Sequence, residues 1–433
     1  MIGMLMFLTA LIFLLVGIPV AFAFAGVAIL FAILFPWDVG LQVFELLPFR
    51  IYGIMQNFTL MAVPLFIFMG LILEKSKMAE DLLESMGRLF GPVRGGLAIS
   101  TVLVGAILAA STGIVGASVV MMGLITLPIM LKHRYKPELA CGTIVASGTL
   151  GQLIPPSVVL IVLGDVMYVS VGDLFKAAVV PGLILTSLYI LYILILAWLR
   201  PSVAPAMEKE GDEPYGKLLL RALKAIVPPL LLIVAVLGSI FAGIASPTES
   251  AAVGVVGSIV LTLFKRTFSW GMVRYAAIET VKLSAMIFMI LIGATAFSLV
   301  FNAFDGGDFV HHFFTHDLGG KWSFILVTMA VIFLLGFFVD FIEIAFIVVP
   351  ILVPIAASFG IDPIWFAILI AMNLQASFLT PPFGFALFYL KGAAGDKVTT
   401  GQIYKGVIPF ILLQLTALGI VMAWPDIIYW FGK

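Results

Sequence analysis

Gly148-Thr149-Leu150-Gly151-Gln152-Leu153-Ile154-Pro155-Pro156-Ser157 and Asn373-Leu374-Gln375-Ala376-Ser377-Phe378-Leu379-Thr380-Pro381-Pro382-Phe383-Gly384 are two polar, proline-paired stretches inside otherwise apolar sequence. A proline in a helix removes one N–H and displaces the carbonyl four residues earlier. Pro155 and Pro156 are therefore expected to free the carbonyls of Gly151 and Gln152, and Pro381 and Pro382 those of Ser377 and Phe378. In a low-dielectric setting such a carbonyl needs a hydroxyl, a water or a cation. A kink satisfied by neighbouring Ser or Thr is one outcome. An oxygen site for a hard cation in a discontinuous helix is the other, and the recurrence of the pair favours it.

The surrounding composition sets the solvent. The chain has 433 residues, 63% in the hydrophobic set and only 11% charged; its mean hydropathy is +1.22. An ordinary soluble domain is about 25% charged, so this is a polytopic membrane protein built mostly of helices. Lys+Arg and Asp+Glu balance at 23 each, which gives no basic excess for nucleic acid. The one cysteine, Cys141, permits no intramolecular disulfide. Met1–Gly26 lacks the charged start of a secretory signal, and its apolar character continues to Phe35, so it reads as retained membrane helix.

The proline pairs lie 226 residues apart, as do Pro128 and Pro354, while Pro19 and Pro247, Gly26 and Gly254, and Pro181 and Pro409 lie 228 apart. The chain reads as two diverged halves, 1–199 and 225–433, joined by a polar connector at 200–224. The positive-inside rule orients them. Loop 75–94 carries Lys75, Lys77, Arg88 and Arg94, whereas its counterpart 302–321 has only Lys321 beside Asp305, Asp308, Asp317 and three histidines. The bias flips likewise between 131–136 and 358–362, between 164–173 and 391–400, and between 36–50 and 265–274. The expectation is an inverted-topology repeat with the connector in the cytoplasm.

Spans are expected near 2–17, 18–35, 51–73, 137–163, 174–199, 225–244, 246–264, 283–301, 363–390 and 404–424. Residues 95–131 and 322–357 are too long for one crossing of about 20 residues. They read as re-entrant hairpins that enter from opposite faces. The first has an uncharged tip of small and hydroxylated residues, Ala110 to Ser118, which as a packing face would have a simpler explanation. Met78–Phe90 is amphipathic and is expected in the interface plane.

Intramembrane charge marks functional candidates. Asp340 and Glu343 fall in the second hairpin on one helical face, and Asp340 joins Asn373, Gln375, Ser377 and Thr380 in the most polar cluster of the second half. Either carboxylate would serve equally as a helix cap. Glu249, in Ser246-Pro247-Thr248-Glu249, reads as a capping residue. His311, His312 and His316 with Asp308 and Asp317 raise a metal site, with an interfacial helix as the simpler account. The sequence has no His-Glu-x-x-His motif, P-loop or nucleotide-binding glycine fingerprint, which argues against a protease, a pump or another enzyme.

Over essentially its whole length the sequence resembles the large membrane subunit of TRAP transporters, the DctM-like family. The hairpin tip Ala110-Ser111-Thr112-Gly113 and the two proline-paired stretches carry the likeness. The resemblance implies an all-α elevator transporter, of the ion-transporter type, in the bacterial inner membrane. It implies a periplasmic DctP-like binding protein that captures an organic acid and a small four-helix DctQ-like membrane subunit. The resemblance also implies two Na⁺ sites. One would use Ser111, Thr112 and Gly113 with the backbone around Gly151–Pro155; the other would use Gly336 and Asp340 with Ser377, Thr380 and Pro381. Substrate would lie near Thr112, Ser147, Thr149, Asn373 and Gln375. Glu343 stands where the pattern calls for a small or apolar residue. A single-component Na⁺- or H⁺-coupled di- or tricarboxylate symporter shares the architecture and is the alternative.

Overall fold

The structure, a computed structural model, describes residues 2–36, 40–112, 115–207, 214–317 and 319–432, and of Ser111, Thr112 and Asp317 the backbone alone. A chain solvated by hydrocarbon must pair every backbone group internally, and the described residues contain helices and no strand. The first half holds α1 (Ile2–Leu15), α2 (Val20–Leu34), α3 (Leu47–Met55), α4 (Ala62–Lys75), α5 (Met78–Phe90), α6 (Gly96–Thr112), α7 (Val115–Lys132), α8 (Pro137–Thr149), α9 (Val158–Val166) and α10 (Val171–Leu199). The second holds α11 (Tyr215–Phe241), α12 (Pro247–Phe264), α13 (Trp270–Ala303), α14 (Gly306–His312), α15 (Lys321–Leu335), the single turn α16 (Phe341–Glu343), α17 (Val349–Ser358), α18 (Pro363–Leu379), α19 (Phe385–Ala394) and α20 (Thr400–Ala423). Helix order in the second half follows that of the first except at two places: the single α13 stands where the first half has α3 and α4, and α16 with α17 stand where it has α7.

Local sequence sets many of the boundaries. Ser170, Ser246, Ser269, Asp362 and Thr399 each accept a backbone N–H from the first turn of the helix they precede. Ser246 and Glu249 form the reciprocal capping box expected of them, with the Ser246 N–H 2.7 Å from Glu249 Oε2.

Both over-long segments fold as helical hairpins. At the base of the first, the Gly95 N–H donates to the Ala204 carbonyl and the Lys136 N–H to the Val203 carbonyl, each at 3.0 Å, so both feet rest on one short segment. In the second, Phe324 at the start of α15 packs on Phe359 just past α17, ring centroids 5.6 Å apart. Its descending arm contains a π-helical stretch, Ile344–Val348.

Several expected spans shift. The run 51–73 is two helices, α3 and α4, separated by residues 56–61. Helix α11 begins at Tyr215, ten residues ahead of the expected start, inside the stretch read as connector. Helix α13 has 34 residues, about 51 Å at 1.5 Å per residue. That exceeds a hydrocarbon core of about 30 Å, so it tilts or protrudes.

Seven described helices are long and apolar enough to cross a membrane. Large apolar side chains such as Leu5, Ile12, Val256 and Leu412 point outward, as lipid-facing residues do. The centre belongs to α8 and α18. Every residue from Leu139 to Thr149 and from Trp365 to Leu379 is buried. The two helices that run into the proline pairs are thus the innermost, and their polar residues sit where no bulk water reaches them.

Candidate functional site

In the first half, α8 ends at Thr149, a 3-10 turn covers Leu150–Gln152, and the chain runs without helix through the proline pair to α9. The break is where the sequence puts it, but one freed carbonyl is already satisfied: Ser157 Oγ donates to the Gln152 carbonyl at 2.6 Å. Ser147 Oγ donates to the carbonyls of Thr143 and Ile144, and Thr149 Oγ1 to that of Ala146, so both hydroxyls bond within their own helix. Hairpin 1 lies tight on this segment. A Cβ on Gly105 of α6 would fall 2.6 Å from the Ser147 Cβ, and one on Gly151 would fall 3.5 Å from the Ala109 Cα. Ala109, near the end of α6, thus packs on the Gly151 turn. The side chains of Ser111 and Thr112 and all of Gly113 lie outside the described residues.

The second half repeats the arrangement with different groups. Helix α18 stops at Leu379, and the Thr380 N–H donates to the Ser377 carbonyl at 3.0 Å. The expectation that Pro381 leaves the Ser377 carbonyl without a donor is therefore corrected, because the chain closes a turn there before the prolines. Thr380 Oγ1 donates to the Ala376 carbonyl and Ser377 Oγ to that of Leu374, each at 2.8 Å. Asn373 Nδ2 crosses to the Met329 carbonyl of α15 at 2.7 Å and ties the hairpin to α18. At the hairpin tip, a Cβ on Gly336 would lie 2.1 Å from Ser377 Oγ, so only glycine fits. The tip's Phe341 and Phe338 pack on Phe378 and Phe383, ring centroids 6.5 and 5.2 Å apart, on either side of Pro381-Pro382. The structure thus brings Gly336, Ser377, Thr380 and Pro381 together beneath one hairpin tip, and Asp340 belongs to that tip.

Asp340 is the N-cap of the hairpin's second helical arm: its Oδ1 accepts the Phe341 N–H at 2.7 Å. A carboxylate with one oxygen so engaged keeps lone pairs for a cation. Glu343 is 5% exposed, Oε2 has no partner, and Phe7, Phe24, Leu335, Val339 and Ile347 surround it.

Two amides distinguish the site from ordinary packing. Gln152 and Gln375 are fully buried, and both amide atoms of each lack a hydrogen-bond partner. An unpaired buried polar group costs about 1–3 kcal/mol, so such groups persist mainly where a ligand answers them. The Leu150–Gln152 turn packs on both α6 and α18, which places the Gln152 segment against the helix that carries Gln375. Sequence reading proposed Gln375 and passed over Gln152, although it is the one amide in the unwound turn. It also missed a contact 108 residues long in sequence: Asn57 Nδ2, between α3 and α4, donates to Asp165 Oδ1 at the end of α9.

The histidines stand in a different arrangement from the one a metal site would need among the described residues, and the Asp317 side chain lies outside these. His312 and His316 stack with centroids 4.3 Å apart, and Thr315 Oγ1 lies 2.9 Å from His316 Nδ1. No group of three or more His, Cys, Asp or Glu side chains able to hold a metal ion occurs among the described residues.

Broken helices packed against helical hairpins are an arrangement of secondary transporters, and the sequence relatives agree. The family described as "Tripartite ATP-independent periplasmic transporter, DctM component" matches residues 7–427. The chain belongs to that family. It is 33% identical over 383 residues, 88% of each chain, to the C4-dicarboxylate TRAP transporter large permease protein DctM of Pseudomonas aeruginosa. It is 30% identical to the ectoine/5-hydroxyectoine TRAP transporter large permease protein UehC of Ruegeria pomeroyi, over 97% of this chain and 96% of that one. In fold it is similar to the Alcanivorax borkumensis YdaH transporter, with a TM-score of 0.60, 14% identity and 90% of each chain covered. This DctM-family chain is accordingly a multi-pass protein of the bacterial inner membrane and a transporter permease.

Proposed function

We propose that the protein is the large permease subunit of a binding-protein-dependent secondary transporter that imports an organic acid with Na⁺. The observation that carries this is the pair of hairpins packed on broken, fully buried helices, hairpin 1 through Gly105 and Ala109 and hairpin 2 through Gly336 at its tip, with two unpaired glutamine amides near the breaks. The groups at each break are oxygens: hydroxyls, carbonyls and the Asp340 carboxylate. That donor set suits a hard cation such as Na⁺. Na⁺ is cargo here, and its charge offsets the cost of holding a carboxylate at membrane depth. Asn373 is tied to Met329 and positions the hairpin. Gln375 and Gln152 retain full hydrogen-bonding capacity for the substrate, with Ser147 and Thr149 nearby in the first half.

The matching helix order and the alternating loop charge support two inverted halves, 1–199 and 225–433, with the hairpins entering from opposite faces. The hairpins with α8–α10 and α18–α20 form a transport unit that slides, elevator fashion, against a scaffold of α1–α4 and α11–α13. A small four-helix subunit braces the scaffold, and a periplasmic binding protein delivers the substrate. The relatives' names, one for C4-dicarboxylates and one for ectoine, support an organic acid without selecting one.

The test is uptake of a labelled organic-acid panel into proteoliposomes with and without an inward Na⁺ gradient, for this chain alone and with its small subunit and binding protein. Gradient-driven uptake by the complete set only is expected. Equal uptake by the chain alone would make it a self-sufficient symporter.

A further inference from the structure

A cavity of about 600 Å³ lies away from the cluster described above. One wall is α3 and the C-terminal part of α13, with Arg50, Asn57, Ser298 and Asn302; the other is the end of α9, with Asp165, and the second arm of hairpin 2. None of Ser147, Thr149, Gln152, Asn373 or Gln375 lines it. The helix from Ser157 to Asp165 separates it from the proline break by about 12 Å. Its volume falls in the range of small-molecule sites, roughly 300–1,000 Å³.

The lining is chemically uneven. Arg50 is exposed to the cavity and forms no ion pair among the described residues. Facing it on α13 are Ser298 and Asn302, one helical turn apart, with Asn302 Nδ2 3.3 Å from Ser298 Oγ. The only other charged lining residue is Asp165, already engaged by the Asn57 amide, whose own oxygen accepts the Thr59 N–H at 2.9 Å. Arg50 precedes Asn57, the partner of Asp165, by seven residues, about 10 Å of helix, so the cavity offers a guanidinium flanked by neutral polar groups and, apart from it, a hydrogen-bonded carboxylate.

We propose that this cavity is a second binding site for the transported acid, separate from the deep one and occupied on the way to or from it. It rests on the reading of the protein as an organic-acid importer. The ligand's carboxylate sits on Arg50, where a planar guanidinium gives two parallel hydrogen bonds. A hydroxyl or ammonium of the same ligand points at Asp165. A ligand with a bare second carboxylate at that end meets a like charge and binds less well. The class recognised is thus a carboxylate bearing a hydrogen-bond donor at its far end. By the charge bias of loops 36–50 and 164–173, this cavity faces the periplasm.

The test uses Gly53→Cys, whose added side chain would point into open space beside the cavity. Cys141 is fully buried and stays silent to a maleimide. In the purified full chain, gluconate is expected to slow labelling of Gly53→Cys, succinate to do so more weakly, and glucose not at all. Adding Arg50→Gln should raise the half-protecting gluconate concentration about tenfold or more, the loss of a charge-assisted hydrogen-bond pair, while Arg50→Lys should recover part of the protection. No protection by gluconate, stronger protection by succinate, or protection unchanged by Arg50→Gln would overturn the proposal. Uptake of gluconate run in parallel on wild type reconstituted with its small subunit and binding protein separates the two readings: protection without uptake removes the organic-acid importer reading and keeps the site, and uptake without protection does the reverse.

Discussion

Replacing Gly336 with alanine probes the seat of hairpin 2 on its broken helix. The backbone at Gly336 is ordinary right-handed helix, φ −65°, so alanine brings no conformational strain of its own. The added methyl would lie 2.1 Å from Ser377 Oγ and 2.7 Å from its Cβ, well inside van der Waals contact, and Ser377 is fully buried. Either the tip lifts or α18 shifts. Overpacking of this kind costs about 1–3 kcal/mol. Ser377→Ala would not relieve it, because the Cβ remains; Ser377→Gly removes both atoms and leaves the Ile332 carbonyl, at 3.3 Å, as the nearest remaining contact. Ser377→Gly alone carries its own penalty, about 1 kcal/mol for glycine in a helix plus the lost bond to the Leu374 carbonyl. The pair is therefore expected to be non-additive: Gly336→Ala/Ser377→Gly should be more stable than the sum of the two single changes by about 1–3 kcal/mol. The assay is apparent melting temperature in detergent together with Na⁺-driven uptake of the same four proteins. A wild-type melting temperature and uptake for Gly336→Ala, or strictly additive effects in the double variant, would refute the packing argument.

Other expectations follow from the same geometry. Gln375→Leu and Gln152→Leu each remove an unpaired buried amide, so the protein should melt no lower than wild type while organic-acid uptake falls at least tenfold; a lower melting temperature with intact uptake would make the amides structural. Asp340→Ala loses a cap, a stability cost of about 1 kcal/mol, and should abolish coupled uptake in protein that remains folded by size-exclusion profile. Asn57→Cys with Asp165→Cys spans a contact between scaffold and transport unit. Oxidation should stop uptake and reductant restore it, whereas uptake indifferent to the cross-link would exclude sliding at that seam.

The sequence was most legible where several local signals agree. A proline pair alone does not end a helix, since α11 runs through Pro228-Pro229, but at Pro155-Pro156 and Pro381-Pro382 the prolines sit in polar flanks and accompany the breaks after Thr149 and Leu379. Apolar runs of 37 and 36 residues whose ends share a charge sign had to turn back, and the hairpins occupy nearly the expected bounds. Met78–Phe90 is helical over the expected residues because its periodicity is strong, and its buried face packs on α6 and α11. The gap between α3 and α4 was not legible, because Phe58, Leu60 and Met61 keep the run apolar and only Gln56, Asn57 and Thr59 interrupt it. Carbonyl partners were equally hidden. Whether Ser157 turns toward Gln152, or Thr380 closes on Ser377, depends on the path of the chain after the break. Composition gives no hint of that path. Asn57 meeting Asp165 is a tertiary event that neither local pattern announces.

The most direct test of the central claim is equilibrium binding of radiolabelled Na⁺ to the purified chain, wild type beside Asp340→Ala. Two saturable sites per wild-type chain are predicted, falling to one in Asp340→Ala. Absence of saturable Na⁺ binding, or two undiminished sites in the variant, would contradict the account of hairpin tips and broken helices as ion sites.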